Sequence, residues 1–153
     1  MTEGRYELKY MVREENVPGL LALAEAHVQA DPHAKPLPSG GRGYVVSSLY
    51  LDDVHLTGYT ERLRMDRIRN RVRVRTYGRA PGDRAPVFLE AKRKLDNQVI
   101  KHRIYAGNSD DWLSYGDRPW QRAVALLEGH QRRRGERWMR HVDSMQMVPV
   151  CTV

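Results

Sequence analysis

The stretch Arg69-Asn70-Arg71-Val72-Arg73-Val74-Arg75-Thr76-Tyr77 carries an arginine at every second residue, with Val72 and Val74 between them. Period two is the period of a β-strand, whose successive side chains point to opposite faces of the sheet. Four guanidinium groups therefore share one face, and the valines pack on the other. A row of one sign repels itself unless an anion lies along it.

Three further stretches repeat this arrangement. In Val87-Phe88-Leu89-Glu90-Ala91-Lys92-Arg93-Lys94, the even positions group Glu90, Lys92 and Lys94 opposite Leu89 and Ala91. After a turn at Asp96-Asn97, residue types suited to tight hairpins, Val99-Ile100-Lys101-His102-Arg103-Ile104-Tyr105 sets Lys101 and Arg103 opposite Ile100 and Ile104. Near the N-terminus, Tyr6-Glu7-Leu8-Lys9-Tyr10 places Glu7 and Lys9 opposite Tyr6, Leu8 and Tyr10. Four candidate strands thus share one apolar and one cationic face. A solvated outer face is the plainer reading of any one strand, but exposed faces normally intersperse both signs.

At 153 residues the chain has the length of one domain with a proper core. Its 26 lysines and arginines against 19 acidic residues give a net charge of +7, which predicts a polyanionic partner without naming one. The single cysteine, Cys151, excludes an internal disulfide framework and a cysteine-based zinc site. Met1-Thr2-Glu3-Gly4-Arg5 lacks the apolar core of a signal peptide, and no run approaches the roughly 20 apolar residues of a membrane span. The expectation is a soluble, cytoplasmic protein.

Along the chain, a strand is expected from about residue 5 to 12, and a helix opening at Pro18 and stopping by Asp31-Pro32. Residues 31–43, rich in proline and glycine, read as a loop, and residues 44–52 as a strand. A short helix is expected over about 56–63. Asn108 or Ser109 with Asp110 and Asp111 marks a helix start. Pro119 starts a helix carrying Trp120, Val124, Leu127 and Trp138, and the apolar end from Met145 reads as a strand. The tryptophans read as packing residues, and Arg132-Arg133-Arg134 with Arg137 and Arg140 as a solvated helix face. The six histidines show no metal-ligand spacing.

In order, Tyr6-Glu7-Leu8-Lys9-Tyr10, Ser48-Leu49-Tyr50-Leu51-Asp52, Arg71-Val72-Arg73-Val74-Arg75, Leu89-Glu90-Ala91-Lys92-Arg93-Lys94 and Lys101-His102-Arg103 closely resemble the VTC domain. This is the polyphosphate polymerase module of the vacuolar transporter chaperone family, within the triphosphate tunnel metalloenzymes. The resemblance implies an α+β fold, with an antiparallel sheet forming part of a CYTH-like tunnel barrel, flanking helices and the cationic faces turned inward. It implies a phosphotransferase that takes ATP with a divalent metal, Mn or Mg, and passes the terminal phosphate to a growing polyphosphate chain. Carried over by motif, Lys9, Arg73, Arg75, Lys92 and Lys101 match phosphate-contacting positions; Arg73, Arg75 and Lys92 would act in catalysis. Arg71, Lys94 and Arg103 join the phosphate-binding set by sharing its faces.

The chain departs from the family at its end, Val150-Cys151-Thr152-Val153, where members continue for roughly as many strands again. The expectation is therefore the N-terminal portion of a single VTC-like domain, with an incomplete barrel, doubtful catalysis and open edges able to self-associate. Glu7 and Glu90 are the only acids on the cationic faces and the only metal candidates there, and Glu90 reads more readily as a partner relieving repulsion. Two alternatives stand beside polymerase activity. One is a non-catalytic module that binds polyphosphate or inositol phosphates. The other, ranked last, is a nucleic-acid-binding sheet, because the faces carry lysine and arginine with only Tyr77 and Tyr105 in phase as rings.

Overall fold

The computed structural model describes residues 5–6, 8, 10–36, 41–78, 84–113 and 118–152. Along the chain run β1 (Arg5–Tyr6), α1 (Val17–Glu25), β2 (Lys35–Pro36), β3 (Arg42–Gly43), β4 (Ser47–Asp52), α2 (Thr57–Leu63), β5 (Ile68–Thr76), β6 (Pro86–Leu95) and β7 (Gln98–Asn108). They are followed by α3 (Ser109–Leu113), α4 (Pro119–Ala125), α5 (Gly129–Ser144) and β8 (Val148–Thr152). Two compact units result, one from residues 1–7 and 45–153, the other from residues 8–44.

The larger unit is built on a six-stranded antiparallel sheet in the order β1-β7-β6-β5-β4-β8. Its register follows from the alternation in the sequence. Leu51 faces Val72, Leu49 faces Val74, Val74 faces Leu89, and Leu89 faces Ile104, so the apolar halves of four strands fall on one side. A slip of one residue would turn every one of them to the opposite face. On that apolar side, Leu51, Val72, Val74, Val87, Leu89, Ile104 and Ala106 form a core with Trp120, Ala123 and Val124 of α4 and Trp138 and Val142 of α5. The tryptophans are packing residues, as expected, and Trp112 packs at the edge of this core while its indole N–H donates to the Ala106 carbonyl at 2.7 Å.

Local chemistry fixes the connections. Asp96 adopts φ 51° in the β6–β7 turn, and Arg67 grips its carboxylate at 2.6 and 2.8 Å, tying the turn to the start of β5. Asp52 accepts the amides of Gly58 and Tyr59, and Asp53 those of His55 and Thr57, all at 2.9–3.0 Å. The amides of Thr57, Gly58 and Tyr59 are N–H groups of the first turn of α2 that lack partners within the helix. The smaller unit holds α1 and the β2–β3 ladder, with α1 bearing no buried residue.

The structure corrects several expectations. Among the described residues the sheet is open rather than closed into a barrel: β1 and β8 stand at its two ends and do not pair with each other. The first strand does not reach Val12: it is described at Arg5–Tyr6, where Tyr6 faces Gln98 beside the Asp96-Asn97 turn, and Leu8 and residues 10–12 carry no strand. Glu7 and Lys9 lie outside the described residues. The helix opened at Pro18 stands as expected, at Val17–Glu25, but residues 31–43 include a small ladder, and the segment opened by Pro119 is two helices with Gly129, at φ 52°, starting the second. Arg134 is no solvated arginine. Its guanidinium donates to the Arg103 carbonyl at 3.0 Å, satisfying a backbone group on β7. Among the described residues, no helix is long and apolar enough to cross a membrane.

The two helices behind the sheet meet at Gly135, where a Cβ would lie 2.9 Å from Leu127 Cδ1 and 3.2 Å from both Val124 methyls. Gly135→Val should therefore lower stability by about 1–3 kcal/mol through overpacking, measured by urea denaturation. Gly19→Ala in α1, with nothing within 4 Å of the new methyl, should leave stability equal or raise it.

Candidate functional site

On the side of the sheet opposite the helices, cross-strand register sorts the side chains into four rows. Ser48, Arg75, Phe88 and Tyr105 form the first, and Tyr50, Arg73, Glu90 and Arg103 the second. Arg71, Lys92 and Lys101 form the third, and Arg69, Lys94 and Val99 the fourth. The sequence-predicted residues Arg71, Arg73, Arg75, Lys92, Lys94, Lys101, Arg103 and Glu90 are thus brought together on one face. All seven of those cations, and Arg69 with them, are partly buried, whereas Arg93, out of phase with Lys92 and Lys94, is exposed. This is unlike an ordinary solvated face.

Glu90 sits at the centre, 1% exposed. Its Oε2 accepts Arg73 Nε and lies 2.6 Å from Nη2 of the same guanidinium, while Oε1 accepts Arg103 Nε at 2.7 Å and lies 2.9 Å from Lys101 Nζ. Arg75 Nε stands 3.9 Å from Oε2. Burial alone would raise the carboxyl's pKa, but the hydrogen bonds from Lys101, Arg103 and Arg73, with the charge of Arg73, pull it down to about 2. The same carboxylate acts on Arg103: burial works to lower its pKa, and the hydrogen bond and charge of Glu90 outweigh this and raise it.

The remaining donors are oriented by hydroxyls and rings. Arg73 Nη1 donates to the Tyr50 hydroxyl at 3.2 Å, Arg75 Nε to Ser48 Oγ at 3.0 Å, and Arg103 Nη2 to the Tyr77 hydroxyl. The Tyr50 ring also carries the guanidinium carbons of Arg71 and Arg73, 5.7 and 5.9 Å from its centroid. Burial favours the neutral Tyr50 phenol, yet the Arg73 hydrogen bond and the charges of Arg73, Arg71 and Arg75 hold its pKa below the usual value. Sequence reasoning missed Ser48, Tyr50 and Phe88 on this face. Their signal was available, because all three have the parity of Arg73, Arg75 and Glu90 across the ladders.

Among the described residues, Glu90 is the carboxylate of this face, set among eight cations. Arg71, Lys92 and Lys101 lie side by side across three strands, where like charges directly opposite are unfavourable. What the arrangement can do chemically is bind a linear anion with many oxygens, each oxygen meeting a guanidinium or ammonium donor.

Residues 4–153 match the family model described as the VTC domain. The chain belongs to the VTC domain family. No curated protein matches it. In this VTC domain the phosphate positions carried over from the motif resemblance, Lys9 aside, lie on one sheet face.

The family implies a divalent metal, and the described donors do not fit one. Among the described residues no group of three or more His, Cys, Asp or Glu side chains gathers in metal-binding fashion. Both oxygens of Glu90 are committed to cations, whose charge would also repel Mn or Mg. Glu7, the other acid named from sequence, lies outside the described residues.

Because the Glu90 carboxyl is held at about 2 against an ordinary 4.5, the folded state favours its ionised form. That contribution is complete above about pH 4.5 and is lost as pH falls through the folded value near 2. Glu90→Gln should be destabilised by about 3 kcal/mol at pH 7 and should show a flatter stability profile between pH 4.5 and 2, measured by thermal unfolding across that range. A parallel pair of profiles would assign the acid sensitivity to other carboxylates.

Proposed function

We propose that this VTC domain grips the phosphates of ATP and of inorganic polyphosphate on the cationic face of its sheet, as a polyphosphate polymerase-type domain. The observation that supports this reading is the set of eight partly buried cations across β5, β6 and β7, arranged in rows around the buried carboxylate of Glu90. Arg69, Arg71, Arg73, Arg75, Lys92, Lys94, Lys101 and Arg103 are the phosphate-binding set, with Lys9 added by family resemblance.

In the reaction that the family suggests, an oxygen at the end of the polyphosphate chain attacks the terminal phosphorus of ATP. The bond from that phosphorus to the bridging oxygen breaks, and ADP departs with the electron pair. Such transfers need little covalent help, so the protein's part is to align the two chains and to balance charge on the transferring group. Arg73, Arg75 and Lys92 would surround that group. The two arginines offer forked donors to its oxygens, and the lysine is a mobile point charge that can follow a chain as it shifts. Glu90, by holding Arg73, Arg103 and Lys101, keeps part of this set in place before any phosphate arrives.

Titration calorimetry with inorganic tripolyphosphate at fixed salt tests the binding. Arg71→Ala and Lys92→Ala should each weaken it by about 1–3 kcal/mol, the scale of a charged hydrogen bond. Arg133→Ala, on α5, should leave it unchanged. Unaltered affinity in both sheet variants would exclude a shared phosphate site. Incubation with ATP and Mn, followed by electrophoresis for long-chain polyphosphate, then separates transfer from binding alone; phosphate binding with no product would assign the non-catalytic alternative.

A further inference from the structure

The rows of the cationic face are not equivalent. At one end stand rings: Phe88 and Tyr105 face each other across β6 and β7, and Tyr77 follows the last residue of β5. Phe88 meets both tyrosines edge-on, with centroids 5.8 Å apart at 82° to Tyr77 and 62° to Tyr105. At the other end the rows hold Arg71, Lys92 and Lys101, then Arg69 and Lys94; the described ring that reaches this end is Tyr50 of the Glu90 row, already occupied by the Arg71 and Arg73 guanidiniums. Between the two ends lies the Glu90 row, whose Arg103 reaches back over the rings, 4.3 Å from the Phe88 centroid and 5.1 Å from that of Tyr77.

Tyr105 is the ring of this group most open to solvent, 45% exposed. It is also held in place. Its edge contact with Phe88 fixes one side, and its hydroxyl donates to Asn108 Oδ1 at 3.1 Å, so little freedom is lost when something stacks on it. Nothing in the core uses this ring, since the core lies on the other face of β7.

We infer that the face is directional: the Tyr105 end holds the heterocyclic base of a nucleoside triphosphate, and the Arg71, Lys92 and Lys101 end holds its phosphates. The inference rests on the phosphate-binding reading above and adds the base. From Tyr105 to Lys101 is four residues along one strand, roughly 13–14 Å, a span that a sugar and an extended triphosphate can bridge. Arg103, in the Glu90 row between the rings and the cation rows, then meets the phosphates nearest the sugar. An inorganic polyphosphate, having no base, uses the cation rows alone, so the rings distinguish the nucleotide from the polymer on one shared surface.

The test compares two probes, ATP and inorganic tripolyphosphate, by titration calorimetry at fixed salt on the full chain. Tyr105→Ala should weaken ATP about tenfold, the low end of a base–ring stack, and should change tripolyphosphate affinity by less than twofold. Tyr105→Leu, which keeps apolar bulk on the strand, should show the same selective loss, and Tyr105→Phe should retain ATP. Equal losses for both probes, or ATP affinity unchanged in both the Ala and Leu variants, would overturn the base site while leaving the phosphate face standing. Failure of the unaltered protein to bind tripolyphosphate would instead overturn the phosphate face, and the base site with it.

Discussion

A single buried carboxylate among guanidinium and ammonium groups governs this sheet. Without Glu90, Arg73, Arg103 and Lys101 would converge on one another inside a partly buried surface, and the desolvation of each would go uncompensated. With it, both carboxylate oxygens are satisfied, and the arginines still have donors to spare for hydroxyls at Tyr50 and Tyr77. The result is a face rigid in its centre and strongly positive around it. Rigidity and excess charge together are what a phosphate chain needs, because donors fixed beforehand do not have to be ordered on binding.

The other side of the sheet makes this possible. Val72, Val74, Leu89 and Ile104 bind the strands to α4 and α5, which fixes register, and register decides that Arg73 stands opposite Glu90 and Glu90 opposite Arg103. Packing on one face thus sets ion-pair geometry on the other. The helices contribute further through Arg134, which reaches from α5 to the backbone of β7 at Arg103, the strand that carries half of the Glu90 hub.

The strand alternation was legible in the sequence because it is a local property: parity alone put Arg71, Arg73 and Arg75 on one face and Lys92, Lys101 and Arg103 beside them. The family was legible for the same reason, since its motifs are these strands. What parity could not show is distance. That Lys101, one row away from Glu90, still reaches its Oε1 depends on side-chain length and twist. That Leu8 and residues 10–12 carry no strand was hidden, because the partner of β1 is Gln98–Val99, far along the chain. Closure of the sheet was likewise beyond local pattern; strands β1 and β8 show the right composition for strands yet, among the described residues, stand at opposite ends of the sheet. Tyr50 and Phe88 were legible and overlooked, because a search for charge passes over the rings that carry it.

The most direct measurement is an NMR titration of the isotopically labelled protein with tripolyphosphate, following backbone amides and arginine side-chain Nε–H signals. The account predicts that Arg71, Arg73, Arg75 and Arg103, together with the β6 and β7 amides around Lys92 and Lys101, shift first and saturate together. Shifts concentrated instead on Arg132, Arg133, Arg137 and Arg140 of α5, with the sheet signals unmoved, would contradict it.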